Sequence, residues 1–278
     1  MMRKIYMVFS FIALFLISSC EYFNTDNEDG LSTEEIIEGL KTALEIGADS
    51  STTKLSVLDG YYLDEAVKIL LPPEADVIYD NLDKLNNVVP GTKTFIEGEL
   101  EKLVLSINRS AEDAADDALP ILVGAITDLT INDGWDILNG IVPPDEAIKS
   151  TGAESFDSLA ATHYLERETK TGLIEVFSEP MNTALQKPLV FSVSAYSLWN
   201  GITSAYNTAA STYNTLDILD LWDDIEPVNT DIGEFVTGKA MDGLFLKVGE
   251  EEKKIRKDPF QWAIDIIQRV FGYIQDHL

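Results

Sequence analysis

Three groups of side chains have the types and spacing to do chemistry. In the first, Arg109 stands three residues before Glu112 and four before Asp113, with Asn108 beside it; on a helix these intervals let a guanidinium meet a carboxylate on one face. An exposed pair of this kind contributes only a few tenths of a kcal/mol. Buried against acids from the segment around Asp242, however, Arg109 would fix two distant stretches together and offer a donor fork to an anionic ligand. The second group, Lys239 and Asp242 followed by Glu250, Glu251, Glu252, Lys253, Lys254 and Arg256, has the acid-before-base order that pairs well at (i, i+4). It therefore reads as a solvated, self-pairing helix face. The third is His163, next to Tyr164, whose imidazole has the chemistry of a general base. No nucleophile elbow and no HExxH accompany it, so a half-buried helix histidine is the simpler reading, with a hydrolase built from His163 and dispersed carboxylates as the alternative.

Composition restricts the rest. The chain has 278 residues, 20 Lys plus Arg against 48 Asp plus Glu, and a formal net charge of −28. Nucleic acid needs clustered cations to displace its counterions and is excluded as a partner. One Cys and two His are too few for a disulfide framework or a dedicated zinc site, and no cofactor or metal is expected. A calcium loop over Thr25–Gly30 fails because Thr25 and Ile36 occupy ligand positions one and twelve. With 48 acids, chance carboxylate pairs are unavoidable, and no glycosidase assignment follows.

The one sulfhydryl, Cys20, sits where a specific chemistry would need it. Arg3 and Lys4 precede an apolar run from Met7 to Ile17, too short for the ~20 residues that span a bilayer. The run therefore reads as a signal peptide over residues 1–19. Its end, Leu16-Ile17-Ser18-Ser19-Cys20, resembles the bacterial lipobox, which implies that Cys20 carries the lipid and that the mature chain starts there. Residues 20–31 then form an acidic tether, with a reach under ~20 Å for about ten flexible residues. The expected place is the bacterial cell envelope, with the protein held on the outer membrane through Cys20 and facing either the periplasm or the medium.

Positioning these side chains falls to helices. From Ser32 onward apolar residues recur at helical spacing and period-two alternation is nearly absent, which predicts one all-α domain over 32–278, with nine to ten helices and no extended sheet. Ser32 and Glu35 have capping-box spacing. The pattern predicts helices near 61–70, 74–88 and 94–115, with Pro120 as a break or first-turn position and Asn132 capping a short helix. It continues with helices near 155–170, 172–187 and 189–213. Asp231 and Glu234 then cap a helix to Lys257, and Asp258-Pro259 caps the last one. Gly243 inside a helix, costing ~1 kcal/mol relative to alanine, points to close approach of a neighbour. Tyr196, Trp199, Tyr206 and Tyr213 share a stripe that suits a core contact, or a carbohydrate or lipid groove.

Several strings in order resemble one bacterial family, domain of unknown function 4197. They are GLKTAL at 39–44, INRSAEDAA at 107–115, ATHYL at 161–165 and GKAMDGLFLKVGEEEKKIRKDP at 238–259. Ser110, Met241 and His163 depart from the residues common there. The resemblance implies an all-α secreted or lipidated domain and supplies no reaction. The expected function is therefore a non-enzymatic envelope lipoprotein that binds a small hydrophobic ligand or a partner protein. The rivals are the hydrolase and a purely structural spacer. Asn108, Arg109, Glu112, His163, Lys239 and Asp242 are the candidate ligand-contacting or buried-pair residues.

Overall fold

The chain enters its first helix through the expected capping box. The Glu35 amide donates to Ser32 Oγ at 3.2 Å, and the Ser32 amide donates to Glu35 Oε2 at 2.9 Å, so two otherwise orphaned donors are satisfied reciprocally. In the computed structural model, residues 30–141, 156–217 and 221–277 are described. Cys20, the apolar leader and most of the tether lie outside them. Among the described residues are α1 (Thr33–Leu55), α2 (Glu74–Val88), α3 (Thr92–Asp128), α4 (Gly134–Leu138), α5 (Ala160–Leu185), α6 (Ala195–Leu216), α7 (Gly233–Lys257) and α8 (Asp265–His277), with a 3-10 turn at Pro259–Gln261. They contain no strand; one isolated bridge pairs Val190 with Val193. The fold is all-α, with these eight helices where nine to ten are expected.

One missing boundary is at Pro120, and another lies between the helices expected near 155–170 and 172–187, which form one helix. Helix α3 runs through Pro120 and α5 runs through Pro180. Each proline removes one backbone hydrogen bond, but buried residues continue on both sides: Ala118, Leu122 and Ile126 in α3, and Phe177, Met181 and Ala184 in α5. At roughly 1.5–3 kcal/mol per large buried side chain, that stripe outweighs one lost bond. The segment 61–70 is not helical but a series of turns, because side chains from elsewhere satisfy its backbone. Helix α6 starts at Ala195 rather than 189, with Ser194 Oγ accepting from the Ser197 amide. The reciprocal cap at Asp231 and Glu234 does not form; Asp231 Oδ1 accepts from the Gly233 amide instead. Likewise Asp133, not Asn132, occupies the α4 cap position.

Helix α3 forms the spine, packed on α1, α5 and α6, while α7 lies against α1 and α5. The aromatic stripe of α6 divides: Trp199 and Tyr206 are buried in the core, Tyr196 is exposed, and Tyr213 packs its ring 4.9 Å from that of Trp222. At the other end of α1, Gly39 meets α8 so closely that an added Cβ would stand 2.7 Å from Val270 Cγ2.

Candidate functional site

The string around Asn108 does its chemistry on the backbone of another segment. Asn108 is fully buried, and its side-chain amide pairs with both backbone groups of one residue: Oδ1 accepts from the Ile69 amide at 2.9 Å, and Nδ2 donates to the Ile69 carbonyl at 2.7 Å. One turn further along α3, Glu112 Oε1 accepts from the Tyr61 and Tyr62 amides at 3.2 and 3.1 Å. Its Oε2 accepts from Arg109 Nη1 at 2.6 Å, and Arg109 Nη2 donates to Asp59 Oδ1 at 2.6 Å. The guanidinium also lies 5.5 Å from the centroid of the Tyr62 ring, on which Lys68 Nζ sits at 4.7 Å. Asp59 has φ of +70°, a left-handed turn position that Asp tolerates better than most residues.

Helix α7 grips the same segment from its other side. Tyr61 is buried and its hydroxyl donates to the Ala240 carbonyl at 2.8 Å; burial, then the nearby Glu112 charge, push that phenol well above its ordinary range. Gly243 lets the segment in, since a Cβ there would be 2.8 Å from Tyr61 Cε1 and 3.2 Å from Val67 Cβ. Close approach is therefore what this glycine serves, as expected. Lys247 Nζ reaches Asp64 at 2.6 Å and Glu250 at 2.9 Å. Burial alone would lower the Lys247 amine, but these two hydrogen bonds carry it above its usual value. The hydrogen bond from Lys247 holds the Asp64 carboxyl below its own.

Between these two helices the loop 56–73 is fixed by its backbone and by Tyr61, Val67 and Ile69, which are buried. Three of its leucines point outward: Leu58, Leu63 and Leu70 are 73, 67 and 64% exposed. Leu63 lines an open depression of about 520 Å³ bordered by Lys54, Asp59, Asp64 and Lys247. Loops carry function disproportionately, and leucines held in water on a fixed backbone are available to a partner.

The remaining candidates lie elsewhere. Asp242 does not meet Arg109; it pairs with Lys170 at 2.7 Å and with Lys239 at 3.1 Å, which corrects the expected buried contact between the two. Arg109 instead finds its acids in Glu112, on its own helix, and Asp59, in the loop. His163 Nδ1 lies 2.8 Å from Asp157 Oδ2, with its side chain 45% exposed. It stands near Glu166 and Lys170, so the imidazole and the Arg109 guanidinium belong to different clusters. Cys20 is outside the described residues.

The acidic run of α7 departs most from expectation. Rather than forming a solvated face, Glu251 and Glu252 are buried. Glu252 caps α5 from a distance: Oε1 accepts from the Ala161 amide at 3.0 Å, and Oε2 from the Thr162 amide at 2.8 Å and Thr162 Oγ1 at 2.6 Å. Arg256, four residues on, bonds Glu252 and the Ile137 and Leu138 carbonyls at the end of α4. Sequence spacing found the Glu252–Arg256 pair but not its burial. It also missed Asp59, although Asp59-Gly60 is a turn dipeptide that marks the loop. No curated protein and no solved structure matches the chain. Residues 30–272 match the family described as protein of unknown function (DUF4197), and the chain belongs to that family.

Proposed function

We propose that the protein is a lipid-anchored component of the bacterial cell envelope that works as a binding module, with the 56–73 loop as its docking surface for a partner protein. The observation that carries this reading is the pairing of Asn108 and Glu112 with the loop backbone while Leu58, Leu63 and Leu70 face solvent. Buried polar side chains of this kind fix one conformation, and exposed leucines on a fixed loop give a preorganised apolar surface that loses little entropy on binding. The lipobox-like end of the leader supports anchorage through Cys20. The tether joins α1 at Thr33 and the loop follows Leu55, so the helix sets the two about 33 Å apart at 1.5 Å per residue. The loop is thereby carried away from the anchored end.

Two experiments test the proposal. Radiolabelled palmitate should enter the wild type and not Cys20→Ala; label persisting in the variant refutes anchorage at that residue. A photo-crosslinking residue at Leu63 should trap a discrete partner in intact cells, whereas one at exposed Glu179 on α5 should not. With the crosslinker kept at position 63, Leu58→Asp with Leu70→Asp should abolish the adduct at an unchanged melting temperature. The docking reading fails if position 63 gives no adduct, or if the double variant gives it undiminished.

A further inference from the structure

A second apolar feature lies at the anchored end of the molecule. Pro120, Ile121 and Gly124 of α3 face Gly172, Leu173 and Val176 of α5 across an open groove of about 490 Å³. Val176 is 59% exposed there, and Cβ atoms added to Gly124 or Gly172 would meet nothing within 4 Å. Each mid-helix glycine costs about 1 kcal/mol relative to alanine. Gly39 and Gly243 have a neighbour that explains them; these two, like Gly98 and Gly238, have none among the described residues, but these two line the same groove. They leave the groove clear of side chains at these two positions, which suits a slender occupant lying along it. The polar side chains in the lining are confined to Glu168 and Thr169, and Thr169 Oγ1 already donates to the Leu165 carbonyl at 2.6 Å. A peptide backbone would be left unsatisfied along most of it, but a hydrocarbon chain would not.

Its location identifies the source of such a chain. Lys41 Nζ of α1 donates to the Thr127 carbonyl at 2.7 Å, which sets the first half of α1 beside the last turns of α3. The groove residues of α3 lie two to seven positions before Thr127, about 3–10 Å along the helix axis. Ten residues of chain lead from Cys20 to Gly30, a root-mean-square reach of about 16–19 Å and roughly 33–36 Å when extended. We infer that the groove between α3 and α5 holds an acyl chain of the protein's own lipidated Cys20, shielding it from water whenever it is not in a bilayer. This rests on the lipoprotein reading above.

The test uses the full chain in detergent-free buffer, with cis-parinaric acid as a fluorescent probe. Mass spectrometry first establishes whether Cys20 is acylated; an unmodified Cys20 overturns the underlying reading as well as this one. Given acylation, Cys20→Ala, whose groove is vacant, should bind the probe, and the acylated wild type should bind it at least tenfold more weakly. Placing Gly172→Leu or Gly124→Leu in the Cys20→Ala background should also weaken binding at least tenfold. The melting temperature should hold or rise, because the new side chains enter open space. Equal binding by the acylated and Cys20→Ala proteins would mean that the groove serves free lipid. That outcome, no binding by Cys20→Ala, or binding unaffected by both leucines in folded protein overturns the inference.

Discussion

Glu252 shows how much a single buried carboxylate can organise. It is 1% exposed, yet its oxygens have defined donors: the Ala161 and Thr162 amides, the Thr162 hydroxyl and Arg256. The first two are helix N-terminal amides, which lack partners within their own helix. Glu252→Gln replaces one acceptor with a donor facing donors and leaves the Arg256 guanidinium, 7% exposed, without its counter-charge. Removing one partner of a buried pair costs about 3–5 kcal/mol, and urea unfolding should show a loss of that size. A loss under about 1 kcal/mol would mean that the pair is solvated. His163 gives the contrasting, exposed case. Its hydrogen bond with Asp157 raises the imidazole above its ordinary 6.5, with burial opposing. Burial pushes the Asp157 carboxyl up, but the bonds from His163 and the Leu159 amide outweigh it and leave the group below 3.8. The histidine's contribution is complete below pH 6.5 and is lost as pH rises through its folded value. The aspartate's is present above 3.8 and is lost as pH falls through its own, so the pair is at full strength between these limits. Asp157→Asn should lower the His163 midpoint measured by NMR toward 6.5; an unmoved midpoint would show that the neighbouring acids, not Asp157, set it.

At the scale of elements, two glycines on α7 make opposite predictions from the same substitution. A methyl group at Gly243 would press into Tyr61 and Val67, whereas at Gly238 it would meet nothing within 4 Å. Gly243→Ala should therefore destabilise the protein and loosen the loop, seen as faster hydrogen exchange at the Ile69 amide. Gly238→Ala should stabilise it by about 1 kcal/mol, the helix-propensity difference alone. Equal effects would refute the close packing of the loop on α7. Gly243 was legible in the sequence because a glycine in a strongly periodic helix needs a packing reason. The first helix was legible from Ser32 and Glu35, whose side chains find partners within three residues. The loop 56–73 was not, because nothing within it reveals that Asn108 and Glu112, some forty to fifty positions away, complete its hydrogen bonds. Leu63, Ala66, Val67 and Leu70 instead recur at helical spacing, although only Val67 of the four is buried. Pro120 misled in the other direction, since local chemistry favours a break where tertiary burial keeps α3 whole. The candidate residues followed the same division: the identity of Asn108, Arg109 and Glu112 was readable, and the segment they hold was not.

Across the whole molecule the governing quantity is charge. With 48 acids and 20 cations, even complete pairing would leave 28 carboxylates without a partner, and the fold spreads its cations by placing several between two acids. Arg109 bridges Asp59 and Glu112, Lys170 bridges Glu166 and Asp242, and Lys247 bridges Asp64 and Glu250. Salt weakens such bridges and also screens the repulsion among the remaining acids. Exposed pairs are worth only about 0–1 kcal/mol, whereas self-repulsion at this net charge acts over the whole surface. The repulsion should dominate. Raising NaCl from 0.01 to 1 M shortens the screening length from about 30 to 3 Å, and the melting temperature of the Cys20→Ala protein should rise by several degrees, at about 2–4 °C per kcal/mol for a chain of this size. Lys170→Ala sharpens the test, because it leaves Glu166 and Asp242 on facing helices with the bridge removed. Its destabilisation should be largest at low salt and shrink as salt is added. Lys102→Ala, which frees only Glu99, should depend on salt much less. A melting temperature that falls with NaCl would show that attraction within the bridges, not repulsion among the surplus acids, sets the electrostatic stability; a Lys170→Ala deficit that does not shrink with salt would show that the loss is one of packing rather than charge.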